Sequence, residues 1–158
     1  MSRAWLIGDN IDTDALAPGL YMKSPLEELA QHCLEAITPD FAGAVKAGDV
    51  LVAGKRFGMG SSREQAAQVL KFLGIQAVLA QSFGGIFYRN AFNIGLPVLV
   101  CDAVNQIAQG DQLQIDARSG KIENLSKGVV LYCEPVPEHL LAIIDAGGLV
   151  EYLVRRLA

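Results

Sequence analysis

The chain is predicted to be an α/β protein in which parallel strand–helix units are followed by an antiparallel strand group and closing helices. Three observations predict this. Residues 49–53, Ala77–Ala80 and 97–100 are short, continuous apolar runs of the kind found in strands buried on both faces. The segments between them repeat apolar residues every three to four positions, as helices covering such a sheet do. Beyond residue 110 the pattern becomes strict alternation, which suits an antiparallel meander with one wet face.

Taken in order, residues 4–7 form a first strand, followed by the polar loop Gly8-Asp9-Asn10-Ile11-Asp12-Thr13-Asp14. Three aspartates in six residues invite comparison with a calcium loop. The glycine and distal glutamate that complete one are missing, so the segment reads as a solvated turn or partner-facing loop. Ser24-Pro25-Leu26-Glu27 combines an N-cap serine, an N1 proline and a capping-box glutamate, which predicts a helix over 24–36. A strand over 49–53 leads into the glycine-rich segment 54–60. The next helix, over 63–73, has Ala66, Val69, Leu70 and Leu73 on one face and stops at Gly74. After the strand Ala77–Ala80, Ser82 is placed to cap a helix that ends at Gly95, and strand 97–100 follows. Residues 111–116, Lys121–Asn124 and 129–133 complete the antiparallel group, with helices over 137–146 and Leu149–Leu157. No repeat or linker interrupts this order, and a single domain over 1–158 is expected.

With 51% hydrophobic and 19% charged residues in 158, the chain has material for one core. A net charge of −4 without a dense Lys/Arg cluster argues against nucleic acid as a partner. The longest apolar run, residues 96–101, is too short to span a bilayer, and the N-terminus lacks the apolar stretch of a signal peptide; the expectation is a cytoplasmic protein with no membrane partner. Cys33, Cys101 and Cys133 are odd in number and widely spaced, so neither a disulfide framework nor a zinc or iron–sulfur site held by this chain alone is expected. His32 and Cys33 are sequence neighbours that would point in different directions on a helix, which does not make a catalytic dyad.

Chemistry concentrates in Gly58-Met59-Gly60-Ser61-Ser62-Arg63-Glu64, where a buried strand ends, glycines permit tight turns and a helix starts. A helix N-terminus offers free N–H groups, and Arg63 adds a planar fork suited to a carboxylate or phosphate. A capping box with Ser61 as N-cap and Glu64 at N3 is the structural alternative, and it leaves Ser62, Arg63 and the glycines unexplained. The G-x-x-x-x-G-K-[ST] phosphate loop is not matched.

Three strings, Gly8-Asp9-Asn10-Ile11-Asp12-Thr13-Asp14, Gly58-x-Gly60-Ser61-Ser62-Arg63-Glu64 and Phe87-Tyr88-Arg89-Asn90-Ala91-Phe92-Asn93-Ile94-Gly95-Leu96-Pro97, together resemble the small subunit of 3-isopropylmalate dehydratase, the swivelling β/β/α domain of the aconitase superfamily. The resemblance covers nearly the whole chain. It implies a two-chain hydro-lyase of leucine biosynthesis: the large subunit holds a [4Fe–4S] cluster, the small subunit binds no cofactor and closes over a 2-hydroxy dicarboxylate, and water is removed and re-added at the neighbouring carbon. In those terms Ser62 is the base, Arg63 grips a carboxylate, and Ser61, Met22, Lys23 and Arg89 contribute to substrate binding.

Departures from the family pattern are local. Met59 stands where the family has cysteine, Gln65 where it has histidine, Gly84-Gly85 where Ala-Arg is common, and Tyr21-Met22-Lys23-Ser24 where the specificity loop often reads Tyr-Leu-Arg-Thr. Gln65 cannot titrate near neutrality. Lys23 is a point charge rather than a bidentate fork, and Met22 adapts to an alkyl group, so an isopropyl or methyl substituent suits the loop better than a third carboxylate. An ordinary surface loop is the alternative for both residues, and a structural hydrogen-bond hub is the alternative for Arg89. Competing functions are a paralogue acting on homoaconitate or a methylated malate, and a catalytically silent binding domain of the same fold.

Overall fold

The structure, a computed structural model, describes residues 2–157; Met1 and Ala158, the outer bounds of the expected domain, lie outside them. The strands β1 (Ala4–Gly8), β2 (Val50–Ala53), β3 (Ala77–Ala80) and β4 (Val98–Val100) form one parallel sheet in the order β1-β2-β3-β4. Every residue of β2 and β3 is buried, as unbroken apolar runs require. Strands paired in chain order with right-handed crossovers place the connecting helices on one face. These are α1 (Thr13–Leu16), α2 (Leu26–Ala30) and α3 (Phe41–Ala44), then α4 (Gln65–Phe72), then α5 (Gly85–Asn93). Helix α4 sits centrally, touching α1, α2 and α5.

The second sheet is the expected antiparallel meander, β5 (Leu113–Asp116), β6 (Lys121–Asn124) and β7 (Val129–Tyr132), in that order, with Ile115 opposite Ile122 and Ile122 opposite Leu131. Backbone hydrogen bonds join it to both edges of the parallel sheet: Ala4 N to Asp111 O at 2.9 Å on one side, Glu134 N to Val100 O at 2.8 Å on the other. Helices α6 (Glu138–Ala146) and α7 (Leu149–Leu157) close the chain around Gly147, which is left-handed at φ +97°.

Three helix starts differ from their sequence signals. The helix expected over 24–36 is only Leu26–Ala30; Ser24 does not cap it, and turns follow because Leu34, fully buried at φ +60°, gives its N–H to Ala15 O instead of continuing a helix. The helix expected from residue 63 begins at Gln65. Ser82 caps nothing: α5 begins at Gly85, and the Ser82 hydroxyl accepts the Arg56 N–H at 2.8 Å. In each case a tertiary hydrogen bond or a close loop contact prevails over local capping chemistry.

One buried carboxylate pins the two crossover strands together. Asp49, 2% exposed, accepts the Trp5 indole N–H at 3.0 Å, the Lys46 N–H at 2.9 Å and the Arg3 N–H at 3.2 Å, and Arg3 lies over the Trp5 ring at 4.7 Å. Burial alone would raise the Asp49 carboxyl; the donors from Lys46, Trp5 and Arg3, with the Arg3 charge, more than reverse it and hold it below the usual carboxylate range.

Beyond the strand ends the parallel order continues through loops. Gly58 N donates to Ile11 O at 2.6 Å and Thr13 N to Met59 O at 2.9 Å, while Phe57 N donates to Ser82 O at 3.0 Å and Gly84 N to Phe57 O at 2.8 Å. Segment 57–59 is thereby held between 11–13 and 82–84, with bridges Asp12–Met59 and Phe57–Phe83. Glycine makes the approach possible. A Cβ on Gly58 would lie 2.4 Å from the Phe87 ring at a left-handed φ of +81°, and one on Gly84 would lie 2.7 Å from Gly58 O.

Two outcomes follow from this framework. Asp49→Ala orphans the buried indole and two backbone donors, and a loss of about 2–4 kcal/mol is expected by thermal or denaturant unfolding at neutral pH. Because the folded carboxyl titrates below the unfolded one, its contribution is fully present above the ordinary value of 3.8 and vanishes as pH falls through the folded value, so the gap between wild type and variant should narrow in acid. An equal melting temperature at neutral pH would contradict this role. Gly58→Ala meets the Phe87 ring and an unfavourable φ together, and should cost about 1–3 kcal/mol and displace the segment that follows it; a variant of unchanged stability would show that the approach is not constrained.

Candidate active site

The loop after β2 delivers its serines and arginine to the rim formed by the loop after β1. Gly60, at φ +111°, turns the chain so closely past Thr13 that an added Cβ would sit 3.1 Å from the threonine hydroxyl. Ser61 Oγ then lies 3.4 Å from Thr13 Oγ1, and Ser61 and Ser62 are both exposed. The capping box expected for Ser61 and Glu64 is not formed. Glu64 itself is the N-cap in αR conformation, with no side-chain cap, and Arg63 N donates to Ser61 O at 2.9 Å. Among the described residues no protein acceptor takes the N–H of Ser62 or Glu64, which leaves donors at the positive end of α4.

Arg63 is anchored along one edge. Its Nη1 donates to Asp14 Oδ1 at 2.8 Å and to Ala17 O at 3.0 Å, and Asp14 Oδ1 also accepts the Gly19 N–H at 2.9 Å. No acceptor among the described residues engages Nη2 or Nε, so part of the guanidinium fork remains for an anion. The Arg63 hydrogen bond, then that from Gly19 and the Arg63 charge, hold the Asp14 carboxyl below its ordinary value. Asp12 caps α1, accepting the Ala15 N–H at 2.8 Å, and Asp9 accepts the Lys55 N–H at 2.8 Å. The three aspartates are thus each committed to a different backbone or side-chain donor.

The sequence reading missed Thr13, Asp14 and the Ala17 carbonyl as parts of this arrangement. Asp12 as an N-cap was readable three residues before Ala15, but nothing local links Asp14 to an arginine 49 positions on. The expected binding residues are dispersed. Gly19, at the start of the turn Gly19–Tyr21, lies beside the Arg63 guanidinium, and Met22 and Lys23 follow that turn. Met22 is half-buried against the core and Lys23 is exposed. Tyr21 stacks on His32 at 3.6 Å, while His32 Nδ1 contacts Glu35 Oε2 at 2.6 Å, consistent with a structural histidine. Arg89 stands exposed on α5, one helical turn beyond Gly85 and on the same side.

Among the described residues no cysteine side chain hydrogen-bonds to Ser61, Ser62 or Arg63. All three are buried and free, and burial pushes the Cys33 thiol up. The neighbouring thiols of Cys101 and Cys133 influence each other, lowering the Cys101 thiol and raising that of Cys133. Among the described residues no three His, Cys, Asp or Glu side chains converge as a metal site, and no helix is long and apolar enough to cross a membrane.

Comparisons with known proteins bear on the chain as a whole. Residues 35–103 match the aconitase C-terminal domain. The chain is 50% identical to a 3-isopropylmalate dehydratase small subunit of Thermotoga maritima, over 96% of this chain and 92% of that one. It is 46% identical to a methanogen homoaconitase small subunit of Methanothermobacter thermautotrophicus, over 98% and 91%. A crystal structure of 3-isopropylmalate dehydratase from Methanocaldococcus jannaschii superimposes with a TM-score of 0.93 at 44% identity, over 99% of this chain and 93% of that one. Identity of this extent over almost the full length of both chains leaves one conclusion: the chain belongs to the 3-isopropylmalate dehydratase small-subunit family.

Proposed function

We propose that this chain is the small subunit of a two-chain hydro-lyase that interconverts 2-isopropylmalate and 3-isopropylmalate. The observation that carries the reading is the half-anchored Arg63. One edge of its guanidinium is fixed by Asp14 and the Ala17 carbonyl, and its free donors lie on the same turn as Ser62. A carboxylate bound to those donors would be fixed at a position set by β1 and β2 together.

In this reading Arg63 binds one substrate carboxylate, and Ser62 Oγ, as its alkoxide, takes the proton from the carbon that becomes part of the double bond. The neighbouring carbon loses hydroxide, and re-addition with the two positions exchanged gives the isomer. The large subunit's iron–sulfur cluster would supply the Lewis acid for the leaving hydroxyl; this chain supplies base, clamp and closure. A serine alkoxide needs strong stabilisation. The free N–H groups at the start of α4 and the Arg63 charge provide it once a partner excludes water from the exposed loop. Ser61 lies against Thr13 and orients the turn, Met22 and Lys23 meet the end of the substrate distant from Arg63, and Arg89 adds positive charge from α5. The alkyl preference rests on the half-buried Met22, and a panel including homoaconitate and a methylated malate separates the paralogous readings.

Two measurements on the pair reconstituted with its large subunit test the assignment. Ser62→Ala should lower kcat by about 10²–10⁴-fold while subunit binding and melting temperature stay unchanged; near-normal turnover would remove Ser62 as base. Arg63→Lys replaces a fork by a point charge and should lower kcat/KM by about 10- to 150-fold, the equivalent of one charge-assisted hydrogen bond. Asp14→Asn, which keeps an acceptor but not the charge, should act in the same direction and less strongly, mainly through KM. Equal kinetics for Asp14→Asn and wild type would show that the anchored edge does not matter.

A further inference from the structure

The C-terminal helix α7 carries an apolar stripe that no other described residue covers. Val150 is 70% exposed, Leu153 46%, Val154 63% and Leu157 86%, and no residue of the helix is buried. Spacings of three and four align these four side chains along one face. Phe72, at the end of α4 and 53% exposed, borders a groove shared with Val150 and extends the patch. The base of the helix is fixed: Lys71 Nζ donates to the carbonyls of Ile94 and Gly147, tying α4 and the end of α5 to the turn from which α7 starts. A rigidly mounted apolar face of this kind marks an interaction surface.

Charge identifies the occupant. Glu151 lies in the first turn of α7, and Arg155 and Arg156 lie in the last. Turned about a two-fold axis near the helix centre, two copies bring Val150 opposite Leu157 and Leu153 opposite Val154. Glu151 of each then faces the arginine end of the other. The stripe and its flanking charges are complementary to their own antiparallel copy, which is the requirement for an isologous contact. Glu151 has no ion-pair partner among the described residues, and neither has Arg155. We propose that α7 mediates association of two copies of this chain through antiparallel α7–α7 packing, a role independent of the catalytic reading.

Nine residues span only about 13 Å, so the contact is small and its dissociation constant should be micromolar rather than nanomolar. Analytical ultracentrifugation of the purified full chain at about 50 μM should show a dimer that dissociates on dilution. Leu153→Asp, a substitution at an exposed position, should give a monomer with an unchanged melting temperature. Glu151→Arg makes the helix flanks wholly basic, and the double change Arg155→Glu with Arg156→Glu makes them wholly acidic. Each variant alone should be monomeric, and an equimolar mixture should associate at least as tightly as wild type. A monomeric wild type at this concentration would overturn the proposal, as would a dimer that survives Leu153→Asp or two charge variants that fail to associate when mixed. Loss of large-subunit binding by Leu153→Asp, with wild type monomeric, would assign the face to the large subunit instead.

Discussion

The active loop is held in place by backbone-to-backbone contact, and only glycine allows it. Segment 57–59 runs between 11–13 and 82–84 as if the parallel sheet went on past its strands. At Gly58 and Gly84 there is no room for a Cβ, with Phe87 and the Gly58 carbonyl in the way. A loop positioned through side chains would inherit their rotameric freedom. Here the positions of Ser61, Ser62 and Arg63 derive from the sheet register itself, through hydrogen bonds of 2.6–3.0 Å. Precision of this kind is what the proposed clamp and base, acting on one small molecule, would demand.

Charge is then placed on that frame by pairing rather than by burial. Asp14 is exposed and holds Arg63 by geometry, with Gly19 N supporting the same carboxylate oxygen. Asp49 does the opposite job at the other end of the sheet, buried beneath Trp5 and satisfied by three N–H donors. The contrast has an energetic reason. A buried carboxylate with all its donors locks two strands, whereas an exposed ion pair contributes little to stability and remains free to share its arginine with a ligand.

Most of the architecture was legible in the chain because it rests on local periodicity. The continuous apolar runs of β2 and β3, the alternation in β5, and Gly147 between the last two helices each announce themselves within a few residues. Capping signals misled where tertiary contacts competed. Ser24, Ser61 and Ser82 all stand where a cap is expected, and none caps a helix. Two of the hydroxyls are drawn instead to groups from distant segments, Ser61 to Thr13 and Ser82 to Arg56 N. Ser62 and Arg63 stood out in their motif as the candidates for base and clamp. Asp14 as the partner of Arg63 did not, since that pairing exists only after β1 and β2 are side by side.

The same frame explains why this loop tolerates its departures from the family pattern. Met59 replaces a cysteine at a position that is 46% exposed and contributes its backbone, through the Met59 carbonyl, to Thr13 N; the side chain is free to vary. Gln65 is the first residue of α4, beyond the turn that sets Ser62 and Arg63. At Gly84, by contrast, an alanine would collide with Gly58 O unless the two loops moved apart, while Gly85 faces open space where a long side chain would fit. An arginine at that second position would project beside the loop, and its absence leaves Arg63 as the one cation that the frame itself fixes among the residues described here. In the function proposed above, a second substrate carboxylate would be met by flexible cations such as Lys23 and Arg89 or by the large subunit. In that proposal, one rigid clamp and one adaptable end would suit a substrate whose distal group is alkyl rather than charged.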